Sequence, residues 1–223
     1  MENIKQLIWD WNGTLLNDVQ MCVNVMNDLL QKYKLPELSC EKYKQVFDFP
    51  VKDYYARIGF DFDEIPFEKV GLEFMENYFK ELPNSPLHFE VVQVLEEFKN
   101  MNINQLVLSA MEHNALERSL TEKGIRSYFS KVQGIDNHLA NGKSVLGKGL
   151  LKSSGFAAKE TLLIGDTIHD LHVAQTMACS CVLISNGHFS KERLLKEHDL
   201  VFDSLTDFMD YFKKTSKFSF LQS

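Results

Sequence analysis

The stretch Ile8-Trp9-Asp10-Trp11-Asn12-Gly13-Thr14-Leu15-Leu16 decides how this chain is read. Apolar residues run into one aspartate, and a glycine three positions later marks a turn where backbone N–H groups can approach an anion. A carboxylate that ends a buried apolar strand is costly unless it is paired or metal-bound, so Asp10 reads as a nucleophile in a site.

Outward from this stretch, short apolar runs at 4–9, 105–108, 131–135, 162–165, 181–184 and 200–202 alternate with helix-length segments. That alternation predicts parallel pairing in an α/β fold. Helices over 114–123 and 144–153 are stopped by Gly124 and Gly155. The region from Leu16 to Pro83 breaks the rhythm. Val19, Val23, Met26, Leu30 and Tyr33 share one helical face, and Val70, Phe74, Tyr78 and Phe79 make a second stripe, read as core. The predicted organisation is a core of residues 1–15 and 84–223, with a helical insert over 16–83 that returns at Pro83-Asn84-Ser85-Pro86. The tail after Tyr211 is expected to fray.

With 223 residues, 44% of them hydrophobic, the chain can bury a sizeable core. Its net charge of −7 and lack of a basic tract argue against nucleic-acid binding. No apolar run approaches the roughly 18 residues that cross a bilayer, and the N-terminus does not read as a signal peptide, so a cytoplasmic protein is expected. Cys22, Cys40, Cys179 and Cys181 are too sparse for a disulfide framework and read as reduced, packed thiols. Asn12-Gly13-Thr14 as a glycosylation acceptor and Gly142-Lys143-Ser144 as a phosphate loop are both set aside.

In an open parallel sheet, ligands collect at the carboxyl ends of strands where the chain order reverses. Asp10 follows the first strand and Ser109 the second. Asp166 and Asp170 follow the fourth, and Lys143 precedes the helix leading into it. A carboxylate nucleophile, a hydroxyl, a cation and two further acids suit phosphoryl transfer through an aspartyl phosphate. Asp10 and Asp166 offer hard oxygens for Mg²⁺, Lys143 balances phosphate charge, and Ser109 with N–H groups near Gly13 donates to phosphate oxygens. Duller readings stand beside these. Ser109-Ala110-Met111-Glu112 and Thr167-Ile168-His169-Asp170 both fit helix capping boxes, Lys148 competes with Lys143, and His169 with His172 is a helix-surface pair.

The motifs Asp10-Trp11-Asn12-Gly13-Thr14-Leu15, Leu106-Val107-Leu108-Ser109, Lys143 and Ile164-Gly165-Asp166-Thr167-Ile168-His169-Asp170 resemble those of the haloacid dehalogenase-like hydrolases. The closest likeness is to their phosphatase branch with a helical cap after the first motif. The resemblance implies a three-layer Rossmann-like parallel core closed over by the cap, with Phe47-Asp48-Phe49-Pro50-Val51 as a substrate-specificity loop. It makes Asp10, Asn12 and Lys143 catalytic. It places Mg²⁺ on Asp10, the Asn12 carbonyl, Asp166 and Asp170, and phosphate on Asn12, Gly13, Ser109, Ala110 and Lys143. The departure is Asn12. Family phosphatases carry an acid there that protonates the leaving alcohol and then activates water, and an amide does neither.

The expected function is Mg²⁺-dependent hydrolysis of a small phosphorylated metabolite, slowed by Asn12. The rival reading is a weakly active or inactive relative that binds a phosphorylated ligand. A dehalogenase ranks lower because of the magnesium acids, and a phosphonate-cleaving enzyme would need a cap lysine such as Lys52. Lys44, Lys52 and Arg57 are possible contacts to a substrate anion and otherwise exposed helix residues.

Overall fold

The apolar runs of the sequence become the strands of one parallel sheet in the computed structural model, which describes residues 3–135 and 142–219. The strands are β1 (Gln6–Trp9), β2 (Asn104–Glu112), β3 (Lys131–Ile135), β4 (Thr161–Gly165), β5 (Ser180–Ile184) and β6 (Val201–Phe202). Their spatial order is β3-β2-β1-β4-β5-β6, so the chain order reverses on either side of β1. Trp9 is level with Val107 of β2 and Ile164 of β4, which brings the residues just past these three, Asp10, Ser109 and Asp166 among them, to one edge.

Alternation along the strands divides the core in two, as a pleated sheet covered on both faces requires. Leu7, Trp9, Val107, Leu162, Ile164 and Val182 face α5 (Val91–Asn100), α6 (His113–Glu122) and α10 (Leu205–Ser219). Ile8, Leu106, Leu108, Leu163 and Leu183 face α7 (Lys143–Ser154), α8 (Ile168–Thr176) and α9 (Lys191–Glu197). Trp9 is fully buried against Phe98 and Phe208, and its indole N–H donates to Gln105 Oε1 at 3.1 Å. This is the expected three-layer α/β arrangement. Gly124 and Gly155 follow α6 and α7 with φ of +73° and +83°, as their reading as stop signals anticipates.

Between β1 and α5 the chain forms α1 (Val19–Lys32), α2 (Cys40–Val46), α3 (Val51–Arg57) and α4 (Phe67–Glu81). The two ends of this insertion are tied together, because Asn17 N–H donates to Pro86 O and His88 N–H to Leu15 O. Val19, Val23, Met26 and Leu30 are buried as expected, while Tyr33 is half-buried and donates to Glu73. The α4 stripe is corrected at one position: Val70 and Tyr78 are buried and Phe74 is half-buried against the core, but Phe79 remains 39% exposed and lines a cavity, which Phe74 also borders. The tail is a second correction, since α10 continues to Ser219 and Phe208 and Phe212 anchor it against Phe98. Residues 220–223, the last part of that tail, lie outside the described residues. Among the described residues no helix is long and apolar enough to cross a membrane.

Candidate active site

Asp10 extends β1 by one residue, its N–H donating to Ile164 O at 2.8 Å, and its side chain stands at the carboxyl edge of the sheet. Asp166 follows β4 directly, and Asp170 lies in the first turn of α8. Lys143 opens α7 and is 5% exposed; its ammonium donates to Asp10 Oδ1 and, at 2.6 Å, to Asp170 Oδ1. Lys148, its competitor in the sequence, is exposed. Asp10, Asn12, Ser109, Ala110, Lys143, Asp166 and Asp170 all border one small cavity of about 110 Å³. Residues far apart in the chain thus meet around a space the size of a phosphoryl group.

Gly13 does not border it. Its N–H is committed to Leu16 O at 3.0 Å and Asp18 Oδ1 at 2.9 Å, so it closes the loop and does not point a donor at an anion. Gly13 has φ of +75°, and a β-carbon there would fall 2.2 Å from Asp166 Oδ2. The glycine therefore permits close approach of the loop to an acid. Ser109 is corrected in a different way. It lies inside β2 and its Oγ accepts from Met111 N, while Glu112 caps α6 by accepting from Asn114 N and Ala115 N. The Thr167–Asp170 capping box does form, and Asp170 serves it through Oδ2 while Oδ1 holds Lys143.

Three acids face one amine here. Burial pushes the Asp10 carboxyl up to about 8 against the pull of Lys143, and burial likewise raises Asp166 to about 6. Burial also acts on Asp170, but Lys143 outweighs it and holds that carboxyl below its ordinary value. The two acids on Lys143 keep its own value raised despite burial. Carboxylate oxygens of Asp10, Asp166 and Asp170 lie within 4.8 Å of one another, a hard-oxygen set that suits Mg²⁺. Thr14 Oγ1 donates to Asp166 Oδ1 at 3.0 Å and His188 N–H to Asp166 Oδ2 at 2.6 Å, which fixes that acid toward the cavity.

Beside this cluster is a network that the sequence reading missed. Asp18, ahead of α1, turns inward and accepts from Gly13 N, from Asn12 Nδ2 at 2.8 Å and from the Tyr78 hydroxyl at 3.2 Å. His188 Nε2 stands 3.2 Å from Asp18 Oδ1, and its Nδ1 lies 2.9 Å from the Tyr43 hydroxyl. Burial disfavours a charged imidazole, but Asp18 outweighs it and raises His188 to about 9. Asp18, Cys22 and His188 lie close enough to chelate an ion, yet the carboxylate is already engaged by hydrogen bonds. The available signal was Gly187-His188 just past β5, a strand end to which no site residue is assigned from the sequence.

The other candidates are turned elsewhere. Lys44 donates to Asn186 O and Arg57 to Val46 O, and Lys52 lies over the rings of Phe62 and Phe67. His172 is exposed, whereas His169 packs on Phe49 beside the cavity. All four cysteines are free.

A family model described as haloacid dehalogenase-like hydrolase matches residues 7–184, which includes every acid of the cluster. The chain belongs to that family. Within it, the chain is similar to the phosphoglycolate phosphatase of Vibrio parahaemolyticus, 22% identical over 94% of this chain and 96% of the relative. A haloacid dehalogenase-like hydrolase from Streptococcus pneumoniae superposes with a TM-score of 0.81 at 18% identity, covering 95% of this chain and all of that one. A haloacid dehalogenase-like protein from Agrobacterium tumefaciens gives 0.80 at 15% identity over 96% and 99%. These likenesses carry the fold along nearly the whole chain, and the family assignment accords with the resemblance in the motifs.

Proposed function

We propose that this member of the haloacid dehalogenase-like hydrolases is a Mg²⁺-dependent phosphomonoester hydrolase that works through an aspartyl phosphate on Asp10. The observation that carries the reading is the Lys143 ammonium bridging Asp10 and Asp170 in the wall of a cavity that Asp166 also lines. The phosphatase names of relatives over most of the chain support it.

Asp10, Asp166, Asp170 and the Asn12 carbonyl would hold the magnesium, which when bound supplies charge neutralisation for the phosphoryl oxygens. Asp10 Oδ2, which Lys143 leaves uncovered and Thr14 meets only at 3.4 Å, attacks phosphorus and the bond to the leaving oxygen breaks, its electron pair departing with that oxygen. Lys143 stays fixed by Asp170 and faces the charge that spreads over the phosphoryl group, an arrangement that costs no reorganisation during transfer. Ser109 and Ala110 close the phosphate side. Water then attacks phosphorus and the P–O bond to Asp10 breaks, which returns Asp10 as a carboxylate and releases inorganic phosphate, the water's proton passing to solvent. Asn12 supplies no proton in either step. General acid–base help is worth ~10²–10⁴ in rate, so release from the aspartyl phosphate is slow. A second reading, a binding protein for phosphorylated ligands, rests on that same amide.

The test is turnover of 4-nitrophenyl phosphate with Mg²⁺ by the wild type, Asp10→Asn and Asp166→Asn. Magnesium-dependent release by the wild type and loss of at least ~10³-fold in both variants are expected. Full activity in either variant ends the catalytic reading. Ligand binding without phosphate release from the wild type would favour the second.

A further inference from the structure

A second, larger cavity of about 750 Å³ opens between α4 and α6. It shares Asn12 and Ala110 with the phosphoryl-sized cavity, so the two are compartments of one cleft joined at the amide that replaces the acid. A substrate that fills the small compartment with its phosphoryl group must send its leaving group into the large one. The walls of that compartment therefore describe the leaving group.

Phe74, Met75 and Phe79 of α4 face Met111 and Ala115 across the space. Tyr78 stacks on Phe74 with centroids 6.1 Å apart and meets Phe79 edge-on at 5.5 Å, which makes an aromatic wall beside the junction. Among the described lining residues the sole cation is Arg118, an exposed side chain on α6, and the Glu112 carboxylate is spent on capping that helix. A short anionic leaving group such as glycolate finds no buried countercharge among the described lining residues. An apolar one finds a pocket of the volume and lining that hold drug-sized ligands.

The junction adds an independent constraint. Asn12 is held there by Asp18 and Tyr78 and carries no acidic proton. The leaving oxygen departs as an anion, which excludes most alkoxides and admits an oxygen whose charge is delocalised into a ring.

We infer that the substrate is an aryl phosphate with an extended, apolar aromatic leaving group lodged between α4 and α6. This rests on the small compartment being a phosphoryl site, as proposed above. In the transfer, the Asp10 oxygen forms a bond to phosphorus and the P–O(aryl) bond breaks. The electron pair goes to the arenolate, which takes a proton from water after it leaves.

The experiment compares compounds of closely similar leaving-group acidity and different size: 4-phenylphenyl phosphate against phenyl phosphate for turnover. The inert 4-phenylbenzylphosphonate and benzylphosphonate serve for calorimetric binding to the same wild-type protein. A preference of at least ~10-fold for the larger member is expected in both kcat/KM and Kd, as burial of a further ring requires. Phe79→Ala, a truncation on a partly exposed helix face, should shrink that preference several-fold. Equal kcat/KM and equal Kd for large and small members overturn the inference and leave the phosphatase reading standing. Preferential binding of the larger phosphonate with no turnover of either ester upholds the pocket and removes the catalytic reading. No binding of either phosphonate overturns the inference.

Discussion

The Asn12 amide donates to Asp18 Oδ2 at 2.8 Å, and the Tyr78 hydroxyl closes a triangle, 2.6 Å from the amide and 3.2 Å from the same carboxylate oxygen. Position 12 is thus occupied by a hydrogen-bond donor that a buried anion requires. His188 and Asn12 keep the Asp18 carboxyl below its ordinary value although burial works against ionisation.

Asn12→Asp sets a second carboxyl against Asp18. Like charges at this distance keep the new group protonated at neutral pH, which is the form that donates to a leaving alkoxide. Turnover of alkyl phosphates should rise by about 10-fold or more, with a smaller gain for aryl phosphates. Steady-state kinetics over both classes checks this; an equal gain for the two would count against proton donation from position 12.

Lys143→Met leaves Asp10 and Asp170 buried without their cation. Loss of one partner of a buried ion pair costs about 3–5 kcal/mol, so the metal-free variant should melt well below the wild type. Saturating Mg²⁺ should return part of that stability. It should not restore kcat, expected to fall ~10²–10³-fold with the charge stabilisation the amine provides. Unchanged melting in the metal-free protein would show that the bridge is not formed.

Magnesium should raise the melting temperature by an amount that grows with pH. Asp10 and Asp166 are held up to about 8 and about 6 by burial and must lose their protons to hold the ion. Affinity therefore increases as pH rises through this range. Thermal shifts at pH 6, 7 and 8.5 measure it, and Asp166→Asn should abolish the shift.

His188 supplies a pH signature of its own. Its folded value of about 9 lies above the ordinary 6.5, so its stabilising contribution is complete below 6.5 and is lost as pH rises through about 9. The amount is on the order of 3 kcal/mol for a shift of this size. Denaturant melts of metal-free protein at pH 6.5 and 9.5 should show the loss together with that of the Asp10 proton near 8, and His188→Gln should remove the His188 share and leave the Asp10 share.

Gly13→Ala and Gly187→Ala each drive a β-carbon to 2.2 Å from Asp166 Oδ2, and Gly13 also needs its φ of +75°. Both should destabilise the protein and abolish magnesium binding, read by thermal melts with and without the ion. An unperturbed Gly187→Ala protein would show that Asp166 is free to move aside.

The central strands β1 and β4 were legible because each is a short, fully buried apolar run, and a parallel sheet covered on both faces demands such runs. The acids were legible because a lone aspartate ending such a run has few structural uses. Phe79 misled because helical spacing shows that residues share a face and not whether protein or empty space meets it. Ser109 misled because a capping signature says nothing about whether the strand has ended by that residue.

By itself the chain determined which segments become strands and which acids end them, since both follow from local apolar period and from the cost of burying a charge. The tertiary structure alone decided that Lys143 is shared between Asp10 and Asp170, that Asp18 holds both Asn12 and His188, and that α4 stands off α6. Those relationships join residues up to 170 positions apart. Their distances depend on how layers pack, which no short window of residues encodes.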